Sequence, residues 1–88
     1  MPRIEIYTRP GCGYCTHAKR LLHNLGLAFI EYDVYQYPEH IAQLHSKTFA
    51  RTYPQVFIEG EAVGGFTELL AAQQNGLLAQ LLDPKINN

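Results

Sequence analysis

Two cysteines, Cys12 and Cys15, stand two residues apart within the stretch from Tyr7 to Leu22, where a strand pattern gives way to a helix pattern. A Cys-x-x-Cys pair at the start of a helix can close a disulfide within one helical turn. Its first sulfur would also lie among free backbone N–H groups at the positive end of the helix dipole, which favours thiolate over thiol. Because the pair follows a strand in a short βαβ pattern, it indicates redox chemistry. Cys12 is therefore the predicted nucleophile and Cys15 the predicted resolving thiol.

Two other interpretations of the cysteine pair are weaker. As inert buried thiols they would be poor core material, since they flank Gly13 and Tyr14 at a strand–helix junction. A zinc site would need four ligands at closed spacing, and only His17 and His23 lie near the pair in sequence.

The composition narrows the class of protein further. A chain of 88 residues allows one domain with one modest core, expected over residues 3–82 with a polar tail at 83–88. The formal charge is -1 and both signs are scattered, so nothing favours nucleic-acid binding. No apolar run approaches the ~20 residues that would cross a bilayer, and no signal-like segment precedes the first strand. Cysteines this close cannot staple a secreted scaffold, so a cytoplasmic location is expected.

The periodicity of apolar residues predicts eight elements. Alternation predicts a strand at Arg3 to Thr8, and helical spacing predicts a helix from Gly13 that ends at Gly26. An apolar second strand, Leu27 to Val34, should be largely buried and parallel to the first, with a right-handed crossover. Pro38 should begin a second helix of about three turns that ends near Phe49.

The sequence pattern of the second half of the chain predicts a hairpin followed by two helices. The strands of the hairpin are Tyr53 to Ile58 and Ala62–Val63, and Gly64-Gly65 ends the second strand. A third helix opens at Thr67 and Glu68, Asn75-Gly76 interrupts it, and Leu77 to Leu82 form a final apolar helix. The order β-α-β-α-β-β-α-α predicts an α/β protein with a mixed four-stranded sheet flanked by helices.

Four segments together resemble one family, the glutaredoxins, which are small thioredoxin-fold oxidoreductases that draw electrons from glutathione. They are Cys12-Gly13-Tyr14-Cys15 after a strand, the segment from Arg51 to Ile58 that resembles the family's Thr-Val-Pro segment, Gly64-Gly65 before a helix, and the total length. Thioredoxin itself would be longer and would normally carry Trp-Cys-Gly-Pro-Cys, whereas this chain has no Trp. Short electron donors that use thioredoxin reductase usually lack the double glycine.

The resemblance implies a groove for glutathione next to Cys12. Arg9, assisted by Arg51, would bind the glycine carboxylate, and the backbone of Tyr53, held by a cis bond to Pro54, would pair with the cysteinyl portion. The N–H groups at Gly65, Phe66 and Thr67 would receive the γ-glutamyl carboxylate, and Glu68 its ammonium group. Tyr14 and Thr52 complete the implied lining of the groove.

The resemblance also implies a reaction and its partners. The thiolate of Cys12 would attack protein–glutathione mixed disulfides, and Cys15 would resolve mixed disulfides formed with protein disulfides. The implied partners are glutathione and disulfide-containing or glutathionylated proteins, and the implied enzyme is a monomer.

The chain departs from the family pattern at three positions, with Gly13 for proline, Tyr53 for valine and Glu68 for aspartate. Small residues at the position of Gly13 accompany binding of a [2Fe-2S] cluster between two monomers in the family, so a cluster-binding or carrier module ligated through Cys12 is the alternative function.

Several of these residues have ordinary structural explanations as well. Tyr14 could face the core or form a lip of the groove, and His17 is typical of a solvated helix face. Arg9 and Arg51 alone would be surface charges, Gly64-Gly65 is at least a turn, and Phe66 is expected to pack.

Overall fold

The structure, a computed structural model, describes residues 2–83, so the predicted polar tail lies outside the described residues except for Asp83. Eight elements follow one another as β1 (Ile4–Thr8), α1 (Gly13–Asn24), β2 (Ile30–Asp33), α2 (Glu39–His45), β3 (Gln55–Ile58), β4 (Glu61–Gly64), α3 (Phe66–Gln74) and α4 (Leu77–Leu82). This is the predicted order, and the architecture is that of a thioredoxin fold. None of the helices within residues 2–83 combines the length and apolarity needed to cross a membrane.

The four strands form one mixed sheet in the order β2-β1-β3-β4. Strands β1 and β2 are parallel, with Ile6 opposite Glu31, because α1 crosses over between them. Strand β3 runs antiparallel to β1, with Ile6 opposite Val56, and β4 returns antiparallel to β3. The carboxyl end of β1 and the start of β3 therefore lie side by side, which brings Cys12 and Tyr53 to the same end of the sheet.

Strand β2 is the element that differs most from its prediction. It was expected to be largely buried, but it is an edge strand whose side chains are exposed or half-buried, and Ile30 is 42% exposed. Its regular part is also shorter than the predicted Leu27 to Val34. An edge position leaves one side of a strand without a neighbour, and apolar composition does not reveal which strands occupy the edges.

The sheet is covered by a core on each face. The larger core packs Ile4, Ile6 and Val56 against α1, α3 and α4, with Leu22 and Leu69 fully buried. On the opposite face Tyr7, Phe57, Val34 and Leu44 form a smaller core beneath α2. Because β1 is central and both its faces are covered, all five of its residues are buried, including Glu5 and Thr8.

Helix α2 is shorter than predicted. It ends at His45 after two turns instead of continuing to Phe49, and Leu44 is its buried residue. The hydroxyl of Ser46 donates to the carbonyl of Gln43 at 2.6 Å, a local bond of the kind that competes with helix continuation. Phe49 lies beyond the helix with its surface 97% exposed.

Helix α1 follows its prediction closely at its end. The chain turns at Gly26 with φ +73°, a left-handed conformation that suits glycine, and the Gly26 N–H donates to the carbonyl of His23. Its buried residues are Cys15, Ala18 and Leu22, whereas Tyr14 and, directly after the helix, Leu25 are exposed. The first turn of α1 thus turns Cys15 inward and Tyr14 outward.

Candidate functional site

Cys12 is the N-cap residue of α1, with extended backbone angles of φ -101° and ψ 108°. Its Sγ accepts a hydrogen bond from the backbone N–H of Cys15 at 3.1 Å, and its thiol points to the carbonyl oxygen of Tyr53 at 3.6 Å. A sulfur in this position receives one of the free N–H groups of the first helical turn and lies at the positive end of the helix dipole. The local geometry is therefore the one that the sequence predicted for a nucleophilic thiol.

Cys15 has the opposite environment. It is 2% exposed and the two cysteines approach to 2.6 Å, consistent with a dithiol site. Burial, together with the hydrogen bond to Cys12, raises the pKa of the Cys15 thiol to about 12, against an opposing hydrogen bond from the backbone of Arg9. The partly exposed Cys12 and the buried Cys15 are thus distinguished by burial, which suits an attacking and a resolving role.

A groove of about 570 Å³ opens beside Tyr53, whose carbonyl oxygen lies 3.6 Å from Sγ of Cys12. Its lining comprises all ten residues that the resemblance implied for glutathione, namely Arg9, Tyr14, Arg51, Thr52, Tyr53, Pro54, Gly65, Phe66, Thr67 and Glu68. They come from the β1–α1 turn with the first turn of α1, the segment before β3 and the start of α3, which the sheet topology brings together. The Tyr53–Pro54 peptide bond is cis, as the resemblance implied.

The two arginines of the groove are held differently. The guanidinium of Arg9 lies 5.8 Å from the ring centroid of Tyr53, within the range of a cation–π contact. Nη1 of Arg51 donates to the carbonyl oxygens of Thr48 and Ala50, both at 3.2 Å. Both cations therefore line one groove, and each is oriented by a neighbour within the chain.

Glu68 lines the groove from the first turn of α3. Its Oε1 accepts a hydrogen bond from the N–H of the N-cap residue Gly65 at 2.7 Å, which is one half of a capping box. The same side chain lies against Gly64, where an added Cβ would come within 2.9 Å of its Cγ. Gly64 also has φ +118°, a conformation that side chains disfavour. The first glycine of the pair is thus favoured both by its backbone conformation and by the packing of Glu68, so it serves more than the predicted turn.

Tyr14 and Phe66, two of the residues that line the groove, belong to a cluster of three rings. Tyr14 stacks on Phe66 with centroids 6.1 Å apart, and His17 lies 5.6 Å from Phe66. Tyr14 is 62% exposed, so of its two sequence interpretations the lip of the groove is the one that the structure favours. Phe66 is half-buried and packs against the larger core, as expected.

Sequence reasoning missed several residues around Cys12. Gln55 is buried, and its amide donates to the carbonyl and hydroxyl oxygens of Thr52, which fixes that part of the groove. A second, polar pocket of about 450 Å³ lies beside Cys12 and is lined by Lys19 and Glu31, paired at 3.0 Å. The position of Gln55 directly after Pro54 was the sequence feature that could have identified it. No sequence feature linked Lys19 to Glu31, because the two residues lie on different elements.

No three or more His, Cys, Asp or Glu side chains within residues 2–83 are grouped so that they could hold a metal ion. His17 and His23, the neighbours considered for zinc, do not complete such a set with the cysteines among those residues. The described side chains therefore do not provide a zinc site.

A four-stranded mixed sheet with a cysteine pair at the start of α1 defines a thioredoxin-fold protein with a dithiol site. The family model that matches this chain is Glutaredoxin, over residues 4–63. The chain is 46% identical to a glutaredoxin of Neisseria meningitidis serogroup A over 96% of this chain and 100% of the relative. Its structure is similar to the solution structure of glutaredoxin from Brucella melitensis (TM-score 0.77, 41% identity, covering 98% of this chain and 91% of that one).

A further similar structure is the buckwheat glutaredoxin–glutathione complex, with a TM-score of 0.80 and 29% identity, covering 90% of this chain and 74% of that one. These matches show that the chain belongs to the glutaredoxin family. Family and fold support a glutathione-dependent thiol oxidoreductase in general.

Proposed function

We propose that this protein reduces protein–glutathione mixed disulfides and protein disulfides with electrons from glutathione. The thiolate of Cys12 attacks the glutathione sulfur of a mixed disulfide, so that a Cys12–glutathione disulfide forms and the protein thiolate leaves. A second glutathione thiolate attacks the glutathione sulfur of that disulfide, which regenerates Cys12 and yields oxidised glutathione. With a protein disulfide, Cys12 first attacks one substrate sulfur and forms a mixed disulfide. Cys15 then attacks the sulfur of Cys12, which releases the substrate as a dithiol and leaves a Cys12–Cys15 disulfide. Two glutathione molecules reduce this disulfide in turn, and oxidised glutathione is formed.

The observation that carries the proposal is the position of Cys12 relative to the groove. Its thiol lies 3.6 Å from the carbonyl oxygen of Tyr53, and Tyr53 lines the groove. A peptide that pairs with the backbone of Tyr53 would therefore bring its own sulfur next to that of Cys12. Glutathione is a tripeptide with its thiol in the middle residue, which is what this arrangement requires.

The charges of the groove also match glutathione. The ligand carries two carboxylates and one ammonium group, and it therefore needs cations or free N–H groups at two places and one acid at a third. Arg9 and Arg51 supply two cations to the lining of the groove, and the start of α3 supplies N–H groups and the acid Glu68. A helix N-terminus of this kind favours a bound carboxylate. Because the Gly65 N–H already donates to Glu68, the N–H groups of Phe66 and Thr67 are the ones that would receive it.

A coupled assay tests the reaction. Purified protein, glutathione, glutathione reductase and NADPH are mixed with a glutathionylated peptide, and NADPH consumption is followed, with thioredoxin reductase replacing glutathione and its reductase in a parallel reaction. We expect turnover with glutathione, its loss in Cys12→Ser, and its retention in Cys15→Ser. With a protein disulfide as substrate, Cys15→Ser should be inactive.

Two outcomes would contradict the proposal. Glutathione-dependent turnover that survives in Cys12→Ser would remove the nucleophile from the mechanism. Turnover with thioredoxin reductase but not with glutathione would reassign the source of electrons.

The second candidate function is binding or transfer of a [2Fe-2S] cluster, and the surroundings of Gly13 favour it. An added Cβ at Gly13 would meet no other atom within 4 Å, so there is open space directly beside the partly exposed Cys12. One chain offers one accessible thiol there, because Cys15 is buried, and the other ligands would have to come from a second chain and from glutathione. When bound, the cluster would supply electron storage or a cargo to be passed on.

This candidate has a direct test. The protein is purified anaerobically with iron, sulfide and glutathione, and its visible absorption and its size in solution are measured. A brown dimer that requires Cys12 and glutathione supports the cluster. A colourless monomer that reduces mixed disulfides excludes it.

A further inference from the structure

Lys47 lies on the loop between α2 and β3, residues 46–54, which carries four lining residues of the groove: Arg51, Thr52, Tyr53 and Pro54. Its Nζ donates to the hydroxyl of Tyr7 at 3.1 Å and lies 3.9 Å from Oε2 of Glu5. It also lies 5.4 Å from the ring centroid of Tyr7 and 5.3 Å from that of Phe57. One lysine thus contacts three buried residues on the two central strands.

The hydrogen bonds that the structure gives the other side chains at the start of this loop are local. Ser46 donates to Gln43, Thr48 accepts from the N–H of Ala50, and Arg51 donates to Thr48 and Ala50. None of these bonds ties the loop to the sheet. The contacts of Lys47 do, because Tyr7 and Phe57 are about 40 and 10 residues away in sequence and belong to the second core.

The loop in turn orients a cation of the groove. Arg51 is held by the carbonyl oxygens of Thr48 and Ala50, so the direction of its guanidinium depends on the path of the backbone just after Lys47. Neighbouring Phe49 is 97% exposed and contributes no packing that could fix this path. A loop that is held before the ligand arrives loses less conformational entropy when it binds.

We propose that Lys47 is a positioning residue for the glutathione groove: it anchors the α2–β3 loop to Tyr7, Glu5 and Phe57 and thereby places Arg51 for the ligand. This inference rests on the proposed function of the groove. Its chemistry is a cation that lies over two aromatic rings and donates to a buried hydroxyl. Lys47 touches neither substrate nor Cys12, so it acts on binding and leaves the chemical step alone.

The test compares Lys47→Met with Arg3→Met. Methionine keeps much of the aliphatic stem of lysine and removes its charge and its donor. Arg3 contacts the same Oε2 of Glu5 at 3.3 Å but directly precedes β1, at the end of that strand away from Cys12. Each variant therefore removes one cation from Glu5, and only Lys47→Met releases the loop.

We expect Lys47→Met to raise the KM for glutathione roughly 3- to 10-fold with kcat within about twofold of the wild type. Arg3→Met should leave both constants near wild type, and Lys47→Arg should restore much of the KM, since arginine also packs on aromatic faces. Hydrogen exchange gives a readout without substrate. The amides of Thr48 and Ala50, bonded to Leu44 at 3.2 Å and to the Thr48 hydroxyl at 3.1 Å, should exchange faster in Lys47→Met only.

An unchanged KM and unchanged exchange at Thr48 and Ala50 in a folded Lys47→Met protein would overturn the inference. Equal increases of KM in Lys47→Met and Arg3→Met would also overturn it, because the effect would then belong to Glu5 and not to the loop. If the wild type itself shows no turnover with glutathione, the proposed function fails, and the exchange measurement still decides whether Lys47 anchors the loop.

Discussion

Oε1 of Glu68 accepts a hydrogen bond from the backbone N–H of Gly65 at 2.7 Å, and this bond brings the Glu68 side chain over Gly64. One acid therefore caps α3, lines the groove and dictates a glycine four residues earlier. The stability of the α3 start and the composition of the groove are coupled through these two residues. Substitutions can separate the two contributions.

We expect Gly64→Ala to destabilise the protein by about 1–3 kcal/mol, because φ is +118° and the new Cβ would meet Glu68 Cγ at 2.9 Å. In a domain of this size each kcal/mol corresponds to a shift of about 4–8 °C in Tm, which thermal unfolding followed by circular dichroism measures. Gly13→Ala is the matched control, since its Cβ would meet nothing within 4 Å and its φ is not positive. A Gly64→Ala protein that melts like Gly13→Ala would show that the Glu68 contact relaxes without cost.

Glu68→Gln separates the cap from the charge. The amide oxygen can still accept from Gly65, so the free energy of unfolding should stay within about 0.5 kcal/mol of the wild type. Loss of the negative charge should weaken binding of the ammonium group of glutathione, and the Kd for glutathione should rise roughly 10-fold. Glu68→Ala should show this rise and in addition lose about 1 kcal/mol of stability with the cap. Titration calorimetry with glutathione measures the effect on binding, and urea unfolding measures the effect on stability. Equal stability of the Gln and Ala variants would show that the hydrogen bond of Glu68 to Gly65 does not stabilise the protein.

Gly13→Pro should stabilise the protein by about 0.4–1 kcal/mol, since proline suits the first position of a helix and restricts the unfolded chain. Cys12 already has the extended backbone, φ -101° and ψ 108°, that a residue before proline prefers. The change is measured as the urea midpoint of the reduced protein. A lower midpoint than the wild type would mean that the first turn of α1 cannot accept the ring.

The two thiols should differ in their reaction with iodoacetamide. At pH 8 we expect one fast equivalent at Cys12 and slow modification of Cys15, which is 2% exposed and has a pKa raised to about 12 by burial. Peptide mapping by mass spectrometry after timed quenching identifies the modified residue. The Cys12→Ser variant is the control, and fast labelling of Cys15 in the wild type would contradict its assignment as the protected thiol.

Glu5 should make the protein sensitive to acid. Its burial opposes ionisation, but hydrogen bonds from Arg3 and Tyr32 and the charge of Lys47 outweigh that effect and hold the pKa of Glu5 below its ordinary value. A lowered folded-state pKa contributes stability that is complete above the unfolded-state pKa of about 4.3 and is lost as the pH falls through the folded-state value. Glu5→Gln should therefore be less stable at pH 7 and lose less stability between pH 5 and 3.

Urea unfolding at a series of pH values measures this difference. Glu61→Gln, at an exposed position on β4, is the control for a general change of charge. If the wild type and Glu5→Gln lose stability in parallel below pH 5, the acid sensitivity has another source.

The sequence was sufficient for features that depend on local order. The Cys-x-x-Cys pair, the strand before it, the turn at Gly26 and the hairpin are patterns of neighbouring residues, and the structure contains each of them. The resemblance to glutaredoxins also selected ten residues from three separate segments, and in the structure these residues line one groove. Their role in binding glutathione stays a prediction.

Tertiary structure alone decided the features that depend on which elements meet. It made β2 an edge strand, ended α2 at His45 and buried Cys15 while exposing Tyr14 on the same helical turn. It also joined Lys47 to Tyr7, forty residues away, and placed Glu68 over Gly64. The periodicity of a sequence indicates how apolar each face of an element is. Burial depends on which other element packs against that face, and this is determined only by the fold of the whole chain.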